Sequence, residues 1–157
     1  MIWGLLELYE ATFNTDYLRR ARRLNDIFLD RFWDDENGAF YFTSHESKQL
    51  IGRKKEAYDG AIPSGNSVAM MNLLRLGRIT GQPELEEKAN NTGRLYTEQL
   101  EQAPSGFGQM LQGILFELGT TYEIVIAGKK ESADTKKLLK ELHSHLYSPQ
   151  GCSAERS

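Results

Sequence analysis

Gly4-Leu5-Leu6-Glu7-Leu8-Tyr9-Glu10-Ala11-Thr12 and Asn72-Leu73-Leu74-Arg75-Leu76-Gly77-Arg78-Ile79-Thr80 stand 68 residues apart and share one pattern. Leu5, Leu6, Leu8 and Thr12 recur as Leu73, Leu74, Leu76 and Thr80. The likeness continues downstream: Asn14, Tyr17, Ala21, Ile27, Phe28 and Phe32 are matched by Gln82, Leu85, Ala89, Leu95, Tyr96 and Leu100. Each copy reads as a helix, a short turn and a second helix. A helical hairpin that repeats within one chain points to a stacked array or a closed helical toroid.

The two helices of each hairpin differ in character. Around 1–12 the only charged residues are Glu7 and Glu10, and over 66–80 the strongly polar positions after Ser67 are Asn72, Arg75 and Arg78. Helices apolar around most of their circumference are buried on several sides. The segments near 16–32 and 83–100 are amphipathic instead: Tyr17, Ala21, Leu24, Phe28 and Phe32 fall on one face, the arginine pairs and Asp26 on the other. Alternation of buried and surface helices predicts two concentric layers, hence a mainly α fold and a partial (α/α) toroid of helical hairpins.

The punctuation agrees. Gly81 follows Thr80 where a left-handed cap suits glycine, and Pro83 opens the next helix where no amide donor is needed. Ser64 or Asn66 can cap the helix that begins there. Pro104 and Ser105 start a further helix to about Leu118. Asn37-Gly38 between aromatic runs signals a hairpin turn, so a short β-ribbon is expected over 32–43. Tyr122 to Ala127 reads as a strand, Gly128 ends it, and Asp134 to about Leu146 reads as a helix. The expected organisation is a partial toroid over 1–119, a β-α unit over 120–147 and a disordered tail over 148–157.

The chain has 157 residues, a net charge of -3 and 39% hydrophobic residues, enough for one domain with a core. The basic pairs are short and interleaved with acids, which excludes a nucleic-acid stripe. No segment reaches the ~18 apolar residues of a membrane span, and the N-terminus lacks the basic region of a signal peptide. A cytoplasmic protein is expected. Cys152 is the only cysteine, so no internal disulfide forms. His143 and His145 are two apart on a predicted helix and match no zinc spacing, so no metal and no cofactor are expected. Gly128 lies between a strand and a helix without a GxGxxG or Walker pattern, which excludes nucleotide binding.

The chemistry-bearing run is Glu56-Ala57-Tyr58-Asp59-Gly60-Ala61-Ile62-Pro63-Ser64-Gly65-Asn66-Ser67-Val68. It delivers two carboxylates, a phenol, an amide and two hydroxyls onto the start of a buried helix. Asp59 and Glu56 are the candidate catalytic pair, one proton acceptor and one donor toward a sugar-like substrate. Tyr58 can stack on a sugar ring, Ser64, Asn66 and Ser67 can bind hydroxyls, and Arg53 can neutralise an acidic group. The competing reading is architectural: Asp59 and Asn66 brace the loop, Gly60, Pro63 and Gly65 set its turns, and Glu56 pairs with Arg53 or Lys54.

This run, with Asn72-Leu-Leu-Arg-Leu76 after it, resembles the family of spermatogenesis-associated protein 20, whose bacterial members are thioredoxin-domain-containing, YyaL-like proteins. Leu5 to Thr12, Arg31-Phe-Trp-Asp34, Glu123 to Gly128 and Thr135 to Leu139 are similar to it too, so that the likeness covers about residues 1–147. The resemblance implies a C-terminal portion of such a protein, with a toroid similar to N-acylglucosamine 2-epimerase and six-hairpin glycosidases. The thioredoxin-like domain and the first toroid helices fall outside this chain. Met1-Ile2-Trp3 begins inside the apolar pattern without a cap, and six hairpins of this period need about 400 residues, so the chain reads as part of something larger. Two functions follow as expectations. One is carbohydrate-related chemistry, of epimerase, isomerase or glycosidase type, in the intact parent. The other is a non-enzymatic helical scaffold of a redox-related protein. The missing hairpins would leave apolar flanks at 1–12 and 104–118, which predicts self-association.

Overall fold

The two copies of the repeat fold as two helical hairpins. The computed structural model describes residues 1–47, 52–120, 122, 124, 126–129 and 131–146. They fall into two compact units, Met1–Thr120 and Thr121–Ser157. In the first, α1 (Ile2–Thr12) packs on α2 (Thr15–Phe32), and α3 (Gly65–Thr80) packs on α4 (Pro83–Leu95). A short α5 (Thr97–Gln102) and a 3₁₀ turn (Pro104–Gly106) lead to α6 (Gly108–Leu118). Helix α3 is the hub, because α1, α4 and α6 all pack against it. Its Met70, Leu73, Leu74 and Leu76 are essentially excluded from solvent.

The repeat is visible in atomic detail. Thr12 Oγ1 donates to Leu8 O at 2.6 Å, and Thr80 Oγ1 donates to Leu76 O at 2.6 Å. Ala21 and Ala89, one repeat apart, are both fully buried. Both inner helices end in a left-handed residue, Phe13 at φ 50° and Gly81 at φ 63°. Glu7 and Arg75 occupy equivalent positions and meet across the α1–α3 contact at 2.7 Å, while Arg75 also holds Glu10 at 2.7 Å. Arg78, the equivalent of Glu10, donates to the carbonyls of Phe116 and Glu117 at the end of α6. The opposite charges at one repeat position thus stitch neighbouring hairpins.

Several expectations need correction. The β-ribbon is reduced to one antiparallel bridge, Trp33 with Phe40. Its turn does form, with Gly38 at φ 76° and Ala39 at φ 63°. The segment leaving it bonds alternately to both sides: Tyr41 N donates to Phe32 O, while Phe42 N donates to Lys54 O. On its other side Phe40 is met by the Asn66 side chain rather than by a strand. The amphipathic helix expected over 83–100 breaks at Tyr96, whose φ of -107° and ψ of 10° leave the helical region. Pro104 and Ser105 form the 3₁₀ turn rather than the first turn of α6. Ser64, not Asn66, caps α3: its side chain accepts from Ser67 N.

In the second unit, α7 (Ala133–Leu146) is preceded by Ser132, whose Oγ accepts from Thr135 N at 3.3 Å. No described residue of the predicted strand, namely Tyr122, Ile124, Ile126 and Ala127, is in a strand. The rest of that strand, Thr121 before it, the tail at 148–157 with Cys152, and the side chains of His143 and His145 lie outside the described residues.

Gly81 tests the left-handed cap. A Cβ there meets nothing within 4 Å, so the cost of Gly81→Ala is conformational alone. We expect about 1 kcal/mol of lost stability, read as a lower urea midpoint at unchanged slope. An unchanged midpoint would remove the cap from the account of this turn.

Candidate functional site

Residues 52–64 run as irregular chain between two packed elements, the 33–42 segment and the N-terminal end of α3. Asn66, one residue into α3, is 2% exposed. Its Oδ1 accepts from Phe40 N at 2.7 Å, and its Nδ2 donates to Phe40 O at 3.0 Å and to Glu56 O at 2.8 Å. Tyr96 Oη lies 3.3 Å from the same Nδ2. The amide therefore pairs with one residue's N–H and C=O together, as a neighbouring strand would, and gathers two more groups.

Asp59 forms the second node. Its Oδ1 accepts from Ser64 N at 2.7 Å, and its Oδ2 accepts from Gln109 N at 2.9 Å and Met110 N at 3.2 Å. Asp59 N donates to Gly106 O at 2.7 Å. The first amides of a helix have no intrahelical partner, and α6 has no cap from its own N-terminal residue. Asp59 supplies one from a distance, with its charge at the favourable end of the helix dipole. Ser64 Oγ accepts from Ser67 N at 3.1 Å, the two hydroxyls are 2.8 Å apart, and Ser67 Oγ donates to Ala57 O at 3.4 Å. Tyr58 is 67% exposed but rests its ring edge-on to Phe107 and directly over Gly106, where a Cβ would come within 2.6 Å of the ring.

Arg53 turns to other partners. Its guanidinium donates to the carbonyls of Thr43 and Arg31 and lies 3.9 Å from the Tyr41 ring centroid. Glu56 is exposed, and among the described residues it forms no ion pair with Arg53 or Lys54. Burial, reinforced by the Glu56 charge, pushes the Tyr96 phenol up to about 12. The structure thus brings Asp59, Ser64, Asn66 and Ser67 into one network, places the Glu56 backbone on it, and leaves Arg53 with the turn segment.

Three participants escaped the sequence reading. Tyr96 looked like a plain core position, although a phenol where the first copy has Phe28 was the available signal. Asp34 and Lys55 form a buried ion pair at 2.5 Å. Asp34 also accepts from Glu36 N, Asn37 Nδ2 and Tyr41 Oη, and Lys55 also donates to Gly38 O. The Lys55 ammonium holds the Asp34 carboxyl well below the usual carboxylate range, and the bond to Asp34 raises the Tyr41 phenol. A cleft of about 650 Å³ lies between the 33–38 turn and α4, lined by Trp33, Asp35, Glu36, Glu87, Lys88 and Arg94 among others. None of the predicted site residues lines it. Among the described residues no group of three metal-ligating side chains forms, and no helix is long and apolar enough to cross a membrane.

Comparison with known proteins adds the lineage. Spermatogenesis-associated protein 20 of Rattus norvegicus is 36% identical over 150 residues, covering 95% of this chain and 19% of the relative. The proteins of the same name from Mus musculus and Homo sapiens are each 35% identical over the same length. The chain is a fragment-like match to the spermatogenesis-associated protein 20 family. An uncharacterized protein of Caenorhabditis elegans is 33% identical over 148 residues. The chain spans about a fifth of the length of these relatives. No family model and no solved structure matches it.

Two outcomes check this geometry. Asn66→Ala leaves the buried Phe40 N–H without an acceptor, and we expect a loss of about 3 kcal/mol in chemical denaturation. Asn66→Asp should be no milder, because a carboxylate cannot donate to the carbonyls of Phe40 and Glu56. The second outcome concerns acid. Asp34 has a depressed native pKa, so its contribution is complete above the unfolded-state value of about 4 and is lost as pH falls through the native one. Stability should decline from about pH 4 downward, and Asp34→Asn should be less stable than the parent at neutral pH with a flatter acid limb. Parallel acid limbs would take Asp34 out of the account.

Proposed function

We propose that the chain is a sector of an (α/α) toroid and that it serves as a non-enzymatic helical scaffold, with the 56–68 run as its internal knot. The observation that carries this reading is the commitment of Asp59 and Asn66. Three backbone amides converge on the Asp59 carboxylate, and the Asn66 amide has a partner on both of its polar atoms. A carboxylate whose two oxygens already accept from three backbone amides is committed to holding the chain rather than a ligand. The toroid part draws on the repeat and on the packing of α1, α4 and α6 against α3. The resemblance to thioredoxin-domain-containing proteins makes a redox-related parent the natural owner of such a scaffold.

One observation favours a carbohydrate-related reading in second place. Glu56 and Tyr58 are exposed on the same loop, and the Glu56 charge is felt by the Tyr96 phenol beneath it. A carboxylate beside two phenols is a plausible hydroxyl-binding edge for a sugar.

A single experiment separates the two. The chain, Asp59→Asn and Glu56→Gln are titrated calorimetrically with a panel of monosaccharides and N-acyl amino sugars and followed by thermal denaturation. We expect no sugar binding by any of them, a loss of about 1–2 kcal/mol for Asp59→Asn from the weakened remote cap, and no change for Glu56→Gln. Saturable sugar binding that Glu56→Gln or Asp59→Asn abolishes without lowering stability would overturn the scaffold reading.

A further inference from the structure

Asn37-Gly38 is the single Asn-Gly step of the sequence. Such a step carries its own chemistry. The backbone nitrogen of the glycine can attack the side-chain carbonyl carbon of the asparagine, because a residue without a Cβ leaves the approach open. A bond forms between Gly38 N and Asn37 Cγ, the bond from Cγ to Nδ2 breaks, and ammonia leaves with the proton of Gly38 N. The five-membered succinimide takes up one water at either carbonyl and opens to aspartate or isoaspartate. Water is the co-reactant.

The structure holds both reacting groups on one residue. Asn37 is exposed, so water reaches its side chain, but its Nδ2 donates to Asp34 Oδ2 at 3.2 Å. Gly38 is buried, and its N–H donates to Asp34 O at 2.9 Å. The nucleophile has to lose that proton, and an N–H engaged with a carbonyl in a buried place gives it up less readily. The electrophile has to turn Cγ onto Gly38 N, while the bond from Nδ2 draws the amide toward Asp34. Asp34 is fixed in turn, since Lys55 Nζ, Glu36 N and Tyr41 Oη all donate to it. Lys55 also donates to Gly38 O, and α4 backs the turn, with a Cβ on Gly38 coming within 3.3 Å of Asn91 Cβ.

We propose that Asn37 is a spontaneous deamidation site, which Asp34 keeps closed in the folded chain and which opens when the 34–38 turn loosens. The chemistry undoes its own guard. In the product an anionic oxygen stands where Nδ2 donated to Asp34, so an attraction becomes a repulsion between two carboxylates. In the isoaspartate product the main chain also gains a carbon within residue 37, which shifts Gly38 N from Asp34 O. The turn walls the cleft against α4, so each conversion adds a negative charge to a face that already carries Asp35, Glu36, Glu84 and Glu87. Asn14 and Asn91, each followed by threonine, are internal controls.

The test incubates the whole chain, folded in buffer and unfolded in guanidinium chloride, beside a peptide of residues 33–42 at mildly alkaline pH. Peptide mapping by mass spectrometry follows the amide-to-acid conversion, and chromatography separates isoaspartate from aspartate. We expect the peptide and the unfolded chain to convert at Asn37 at similar rates, ahead of Asn14 and Asn91, and the folded chain about tenfold or more slowly. Asp34→Ala combined with Lys55→Met removes the side-chain hold without leaving a buried charge unpaired. That double variant, while still unfolding cooperatively, should convert about tenfold faster than the folded parent. Asn37→Asp should unfold at a lower urea midpoint than the parent. A folded parent that converts as fast as the peptide overturns the proposal, and so does a cooperatively folded double variant that converts as slowly as the parent. An Asn37→Asp chain as stable as the parent overturns the loss of the guard. The comparison of folded with unfolded parent decides the matter whether or not the double variant folds.

Discussion

One amide holds the first unit together. Asn66 clamps both polar groups of the Phe40 backbone and the carbonyl of Glu56. Phe40 is in turn stacked on Phe28 of α2 at 4.3 Å and edge-on to Trp33 at 5.0 Å. The two hairpins therefore meet at more than an apolar surface. The first supplies the rings that surround Phe40, and the second supplies, from the first turn of α3, the hydrogen bonds that Phe40 would otherwise lack in a buried place. An unpaired backbone group there would cost on the order of 1–3 kcal/mol. The irregular chain between the hairpins has no sheet to satisfy it, so side chains do that work.

Asp59 and Asp34 extend the same principle. Each is a carboxylate placed where several donors of irregular chain converge: Asp59 on three amides at the starts of α3 and α6, Asp34 on the 34–38 turn and Lys55. Buried charges are tolerated when they are paired and hydrogen-bonded. Between them, Asn66, Asp59 and Asp34 hold the 34–42 turn segment, the 56–64 run and the start of α6.

The helices were legible because their signals are local. Apolar periodicity placed α1, α2, α3 and α4, and Gly81 and Pro83 marked a boundary to the residue. What was illegible is long-range. That Asp59 would cap a helix fifty residues later cannot be inferred from Asp59, because a carboxylate three residues from another reads equally as an acid–base pair. The ribbon over 32–43 failed for a similar reason. Its turn residues spoke truly about Gly38, but pairing with 32–34 stops at the Trp33–Phe40 bridge, and the other edge of Phe40 meets a side chain, Asn66, instead of a strand. Tyr96 broke its helix for a phenol–amide contact that no spacing rule announces. Arg53, Glu56 and Tyr58 remained readable only as polar or aromatic groups near a loop, and their partners had to be seen.

Repetition gives more physical insight than the motif does. Equivalent positions in the copies share a backbone but not neighbours, so differences between them isolate the effect of the neighbour. Leu8 is 44% exposed while its equivalent Leu76 is fully buried. Helix α3 packs against α1, α4 and α6, whereas α1 packs against α2 and α3. The same comparison gives the charges their meaning. Glu7 and Glu10 face Arg75, and Arg78 reaches on to α6, so each inner helix offers its successor a partner of opposite sign or a set of free carbonyls. The stability of any one hairpin is then a property of the pair it belongs to, as in other repeat architectures.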